Sequence, residues 1–303
     1  MAKYIVKRIL LAIVSIWIIT MITFFAMNAI PGGPFNKEKA TSAAVQATLE
    51  ARYNLDKPVG EQYVIYMNNI LHGDWGVSLK TGRDIWTDLW SKFQISARLG
   101  LEAAGVAIVL GLVLGSIAAL NRNKWPDRVI IFFTTLGTAM PSFVLATLLL
   151  LIFCLKLSII PVWSSSNPNY ILPVIALSVY PMAYITRLTK TSMLDALNQD
   201  YVRTARAKGV SRNKVIFVHA LRNALIPVIT YVGPMVAYIL TGSMVVENIF
   251  TIGGLGTSFV TSITNRDYTT IMAVTIFLAI LMVIANLLTD IVYKLVDPRI
   301  KLD

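Results

Sequence analysis

The sequence predicts an all-α integral membrane protein with six transmembrane helices and both termini in the cytoplasm. Three observations predict it. The 303 residues are 56% hydrophobic and only 14% charged, whereas a soluble domain is about half apolar and about a quarter charged. The apolar residues are gathered into six stretches free of Asp, Glu, Lys and Arg: 9–30, 103–121, 129–155, 171–186, 224–246 and 269–289. Lys and Arg are unevenly shared between the connections, which sets the orientation of the chain.

A span needs roughly 20 apolar residues to cross about 30 Å of hydrocarbon. Five stretches meet that length. The fourth is short and contains Pro173 and Pro181, so its bounds are the least defined. The first is longer than a cleaved signal core, and no A-x-A site follows it. Cys154 is the single cysteine; one thiol makes no internal disulfide or metal cluster, and it reads as buried and inert.

Seventeen of the 27 Lys and Arg residues fall in the amino-terminal tip, the connections between spans two and three and between four and five, and the tail. Positive charge marks the cytoplasmic side, so the net charge of +11 is a topology signal. A nucleic-acid partner leaves the spans unexplained and is excluded. Trp75, Trp86, Trp90 and Trp163 fall in outer segments and Trp125 at an inner boundary, as interfacial anchors do.

Three regions follow: 1–30, the tip and first span; 31–94, an extracytoplasmic insert; and 95–303, a five-helix core with a cytoplasmic loop at 189–223. Within the insert, 40–53 has good helix formers and Pro58 stands at the start of a helix running to Leu71. "HGDWG" is turn chemistry. "DIWTDLW" sets Ile85, Trp86, Leu89 and Trp90 at helical spacing, as in a helix lying on the membrane surface.

No G-x-x-x-x-G-K-[ST] is present, so the chain has no P-loop. "TIGGLG" (251–256) lacks the lysine and reads as a tight loop whose glycines take positive φ. His72 and His219 are the only histidines and are placed on opposite faces, which argues against a histidine metal site. Glu102 lies four residues from Arg98 and is placed to pair with it. Asp290 falls at an inner end. No ionisable group is placed at mid-membrane, where coupled carriers keep theirs. This counts against a secondary carrier, and the missing catalytic sets against a membrane enzyme; if the chain moves a solute, another subunit is expected to supply the energy, with a stand-alone channel or carrier as the alternative.

The segment "YVRTARAKGVSRNKVIFVHALRN" (201–223) holds six Lys or Arg and no acid. Asp200 is expected to cap a helix over 201–208, Gly209 to stop it, and Ser211 to cap a second helix leading into span five. Ala205 and Ala207 would let another surface approach, ringed by Arg203, Arg206 and Lys208. Attraction to anionic lipid accounts for the charge but not for two capped helices divided by one glycine. Docking to a cytoplasmic motor accounts for both. At membrane depth, Met140–Pro141, Pro181, Gly233–Pro234 and Thr241-Gly242-Ser243 interrupt or soften helices. Irregular backbone of this kind lines a cavity or is buried in protein.

Ala205 followed by Gly209 in a long loop before the penultimate span resembles the EAA loop, E-A-A-x-x-x-G, of bacterial ABC-importer permeases. Arg203, Thr204 and Ala205 stand for E-A-A, while His219 and Arg222 stand where Ile and Pro are expected and Leu221 matches. "HALRNALIPV", "TGSMVVENIFTIGGLG", "YIVKRILLAI", "IPGGPF" and "YNLDKPVGEQYVIYMNNILHGDWGVSL" are similar to the oligopeptide and dipeptide permeases, of the B type with the longer outer segment. The resemblance covers nearly the whole chain and implies a type I importer fold in the bacterial cytoplasmic membrane. It implies a homologous C-type permease, two cytoplasmic ATPases that bind the ATP and Mg, an extracytoplasmic peptide-binding protein and a peptide cargo. This chain itself would hold no cofactor or metal and have no catalytic residue. Asp200, Tyr201, Arg203, Thr204, Ala205, Arg206, Lys208 and Gly209 would couple to the ATPase. Met140, Pro141, Pro181, Gly233, Pro234, Thr241, Gly242 and Ser243 would line the pathway. Nickel and other small-solute permeases look similar, which leaves the cargo class open.

Overall fold

The computed structural model describes residues 2–31, 33–34 and 54–296, with side chains from 6 to 291 within these ranges. In chain order the helices are α1 (Ala2–Ala29), α2 (Val59–Leu71), α3 (Ile85–Leu120), α4 (Trp125–Ala139), α5 (Ser142–Leu149), α6 (Ile171–Leu197), α7 (Asp200–Ala207), α8 (Leu221–Leu240), α9 (Met244–Ile249), α10 (Leu255–Asn265) and α11 (Tyr268–Val296). A π-helical stretch, Leu150–Lys156, continues α5. A short helix, Arg212–Lys214, and a second π stretch, Val215–Ala220, run into α8. The described residues carry no β ladder, only an isolated bridge between Val77 and Asp84. The expected helix over 40–53 lies outside the described residues.

Among the described residues, five helices are long and apolar enough to cross a membrane: Val6–Ala29, Ile85–Leu120, Ile171–Leu197, Arg212–Leu240 and Tyr268–Ile291. The third expected span is not one straight helix. Trp125–Ala139 and Ser142–Lys156 meet at 103° and make a sixth if the bent pair is one span. The cause is local. A residue before proline is pushed out of the helical region, and Met140 sits at φ −83°, ψ 122° ahead of Pro141.

Two other boundaries differ from the sequence reading. The fourth span continues past Thr186 to Leu197, because Arg187 and Lys190 find partners on α4. The fifth stops at Leu240 rather than 246. Gly242 takes φ +91°, and the Ser243 hydroxyl accepts from the Val246 amide to start α9.

The chain divides into two compact units, 1–95 with 253–283, and 96–252 with 284–303. In the first, Phe24 and Met27 of α1, Tyr63 of α2, and Ile271, Met272 and Ile276 of α11 form one buried cluster. Thr20 Oγ1 and Tyr63 OH hydrogen-bond at 2.9 Å. Asp267 organises the loop beside it: its carboxylate accepts from Ser78 Oγ at 2.5 Å, Leu79 N at 3.1 Å and Thr270 Oγ1 at 2.8 Å. Pro58 is the N-cap of α2, and the "HGDWG" turn places Gly73 and Gly76 at φ +83° and +72°.

The "DIWTDLW" segment is not a separate surface helix. It forms the first turns of the 36-residue α3, whose interior contains no proline to break it. Ile85 and Leu89 are buried with Leu255 and Val274, while Trp86 and Trp90 stay exposed and stack on each other.

In the second unit α6 is the central helix. Its buried positions include Pro181, Ala183, Ile185, Thr186, Thr189 and Met193. Residues 96–120 of α3 approach it through Gly111 and Gly115. A Cβ on Gly111 would lie 2.6 Å from Ile185 Cγ2, and one on Gly115 2.6 Å from the Thr186 carbonyl oxygen. This is the small-xxx-small contact by which helices in lipid approach backbone to backbone. The G-x-x-x-G spacing is visible in the sequence and is the signal that locates this crossing.

Candidate coupling helix and translocation segment

Helix α7 is two turns long, and its sequence divides it into two faces. Val202 and Ala205 are buried and pack with Val215, with Val210 closing the cluster. Asp200, Tyr201, Arg203, Thr204, Arg206 and Lys208 are exposed. The small side chain of Ala205 therefore faces the chain's own interior, not an incoming surface. It packs in the cluster with Val202 and Val215, and the outward face is polar and cationic.

The helix start differs from expectation. Gln199 is the N-cap, without a side-chain capping bond, and Asp200 is the first helical residue. Its carboxylate accepts from Arg203 Nη1 at 3.4 Å. The charge still falls at the positive end of the helix dipole. Thr204 Oγ1 donates to the Asp200 carbonyl at 3.0 Å.

The helix end follows from Gly209. It takes φ +75°, its amide donates to the Arg206 carbonyl at 3.0 Å, and the Val210 amide donates to the Ala205 carbonyl at 3.1 Å. This 5→2 and 6→1 pair is the Schellman arrangement, and the Val210–Ala205 contact is the apolar closure that accompanies it. Ser211 then occupies the N-cap of Arg212–Lys214, also without a side-chain bond, and the chain turns directly into α8.

Upstream of α7, helix α6 is tied to α4 by two polar contacts. Lys190 Nζ lies 2.6 Å from Asp127 Oδ1, a carboxylate almost wholly buried, which also accepts from the Asn123 amide at 2.9 Å. Arg187 Nη2 donates to Thr138 Oγ1 at 2.8 Å. Neither Lys190 nor Asp127 belongs to a local motif in the sequence. An acid amid the basic 122–128 connection was the available signal.

The interrupted segments are distributed through the same unit. Met140 and Pro141 form the α4–α5 bend. Pro181 is buried inside α6. Pro234 is exposed on α8, while Thr241, Gly242 and Ser243 make the α8–α9 break. Gly233 borders an apolar cavity of about 330 Å³ and faces Thr289 so closely that a Cβ would lie 2.2 Å from its Cγ2. Pro181 and Gly233 are thus engaged in helix packing.

Two readings change elsewhere. In "TIGGLG" the left-handed residue is Thr251, at φ +56°, not a glycine. Its amide bonds to Asn248 O at 3.2 Å and the Ile252 amide to Glu247 O at 2.8 Å, closing α9 as Gly209 closes α7. Glu247 itself is fully buried and accepts from Ser96 Oγ at 2.8 Å. It is a buried ionisable group that the sequence reading missed, although an acid inside "MVVENIF" is its signature. Cys154 is half-buried rather than buried.

Residues 111–302 match the family described as binding-protein-dependent transport system inner membrane component, and residues 1–94 match the amino-terminal family of such membrane components. The chain belongs to this permease family. Over its full length it is 48% identical to the dipeptide transport system permease protein DppB of Bacillus subtilis (strain 168), covering 99% of that protein. It is 42% identical to the oligopeptide transport system permease protein OppB of Haemophilus influenzae, over 99% of this chain and all of that one. Among solved structures, the MetNI methionine ABC transporter in inward facing conformations superposes with a TM-score of 0.58 at 15% identity, over 69% of this chain and 95% of that chain. An amino acid ABC transporter gives 0.56 at 16% identity, over 69% and 94%. The permease thus has the type I ABC-importer fold in its helical core.

Proposed function

We propose that this chain is the B-type permease subunit of an ATP-driven peptide importer in the bacterial cytoplasmic membrane, forming half of the translocation pathway. The names of its relatives support the cargo class. The observation that carries the coupling role is the two-faced helix α7. Its apolar side is seated on Val215, and its cationic side is exposed between two helices that lead directly into spans. A rigid rod so attached transmits displacement to both spans rather than absorbing it.

In this reading a homologous C-type permease completes the pathway. Two cytoplasmic ATP-binding subunits hold ATP and Mg, and one of them grips Tyr201, Arg203, Thr204, Arg206 and Lys208. Asp200, Ala205 and Gly209 fix the rod's geometry. An extracytoplasmic binding protein delivers peptide. Residues 1–30 serve as tip and first span, 31–94 as the outer insert, and 95–303 as the transport core. Closure of the ATPase pair moves α7, and the bundle rocks between inward-facing and outward-facing states, with both termini in the cytoplasm.

The test is peptide uptake into proteoliposomes. The full complex with ATP and binding protein accumulates labelled peptide, and omission of the ATP-binding subunits abolishes uptake. Accumulation by this chain alone contradicts the proposal.

A further inference from the structure

We propose that Arg98 and Glu102 form a recognition site on the permease for the two charged ends of a short peptide. The inference rests on the peptide-importer reading and goes beyond it by assigning a contact point and a cargo length.

A cavity of about 700 Å³ opens between α3 and the start of α6, lined by Arg98, Glu102, Asn167, Asn169, Tyr170 and the apolar side chains of Val106, Val174 and Ile175. Because 157–170 connects spans three and four on the side opposite the basic loops, the cavity is on the outer side, where cargo arrives. Arg98 Nε lies 2.9 Å from Glu102 Oε1, with 59% and 42% of the two side chains exposed. The guanidinium carbon sits 4.7 Å from the centre of the Tyr170 ring, and Trp163 braces that ring edge-on at 6.4 Å.

Stability does not account for this pair. An exposed i,i+4 ion pair contributes little, so both charges can be exchanged for those of a ligand at small cost to the fold. Glu102 is the only ionisable side chain between Leu99 and Leu120. The stacked Arg98 is pre-organised to take a carboxylate on its planar fork, while Glu102 takes an ammonium. One helical turn separates them, a rise of about 6 Å. Two extended residues span about 7 Å. With the guanidinium and carboxylate swung apart from their present 2.9 Å contact, a zwitterionic dipeptide would exchange the internal ion pair for two external ones, its side chains resting on Val106, Val174 and Ile175.

The experiment uses the intact complex in proteoliposomes, with p-benzoylphenylalanine in place of the exposed Asn167. The binding protein is preloaded with labelled alanyl-phenylalanine, its C-amide or its N-acetyl form. Losing one charge-assisted contact is expected to cut light-induced labelling and uptake about tenfold. R98Q and the C-amide each produce that loss, and combining them adds nothing further. E102Q and the N-acetyl form behave as the second matched pair. The proposal is overturned if the wild-type complex takes up all three peptides equally, or if the probe captures only the second permease or lipid while uptake proceeds. It is overturned equally if R98Q and E102Q lose uptake of free and blocked peptides to the same degree, the mark of a structural role. If the wild-type complex imports longer peptides but none of these three dipeptides, this inference fails and the peptide-importer reading stands; if it imports no peptide of any length, both fail.

Discussion

Lys190 reaches from α6 to within 2.6 Å of Asp127 at the start of α4, ten residues before the first residue of the α7 rod. Removing one member of a buried ion pair strands the other charge and costs about 3–5 kcal/mol. Lys190→Met and Asp127→Asn are each expected to lower the melting temperature of the detergent-solubilised complex. The double variant should lose less than the two single losses combined. Additive losses would show that the two side chains are energetically independent. By contrast, Arg203→Ala at the exposed Asp200 contact should leave stability nearly unchanged.

The Gly209 backbone sits in the left-handed region, yet a Cβ there would meet nothing within 4 Å. The penalty for a side chain is therefore conformational, about 1–2 kcal/mol. A graded series follows, with Gly209→Asn mildest, then Ala, then Val. Transport per hydrolysed ATP should fall in that order while membrane insertion stays normal. Equal coupling in Gly209→Val and wild type removes the need for a fixed end to α7.

Gly233 against Thr289 makes the opposite case, since space and not φ is limiting. Gly233→Ala overpacks the α8–α11 contact and should destabilise by about 1–3 kcal/mol. Thr289→Ala removes the clashing methyl, so the double variant should recover much of the loss in thermal unfolding. No recovery would mean that the constraint lies elsewhere.

At the start of α3, Asp84 accepts from the Thr87 hydroxyl at 2.6 Å and the Thr87 amide at 2.8 Å. These bonds hold its carboxyl below the usual aspartate range. A lowered folded-state pKa contributes stability above the unfolded value, and that stability is lost as pH falls through the folded value. Protection factors at the first turn of α3, which take out the slowing of intrinsic exchange in acid, should therefore fall on acidification below about pH 4. Asp84→Asn should remove that dependence.

The spans were legible because lipid demands long uncharged runs, and five of the expected runs fall in single helices long and apolar enough to cross a membrane. Gly209 was legible because a basic helix followed by glycine has few other structural solutions. The two faces of α7 were not, since Ala205 reads equally as a docking surface or as packing until Val215 is placed beside it. The start of α7 was misread by one position because Asp200 suits both N-cap and first turn. Thr251 was missed because a β-branched residue is the last expected in a left-handed turn beside two glycines. The Asp127–Lys190 pair joins residues 63 apart in sequence, beyond the reach of any local pattern.

The central claim is that the cationic face of α7 is what the ATP-binding subunit grips. It is tested most directly by placing a photo-crosslinking residue at Arg203 in the assembled complex and illuminating it before and after ATP addition. The account predicts a covalent adduct with the ATP-binding subunit, with a yield that changes with nucleotide. Adducts with lipid alone, in a complex that still imports peptide on ATP hydrolysis, would contradict it.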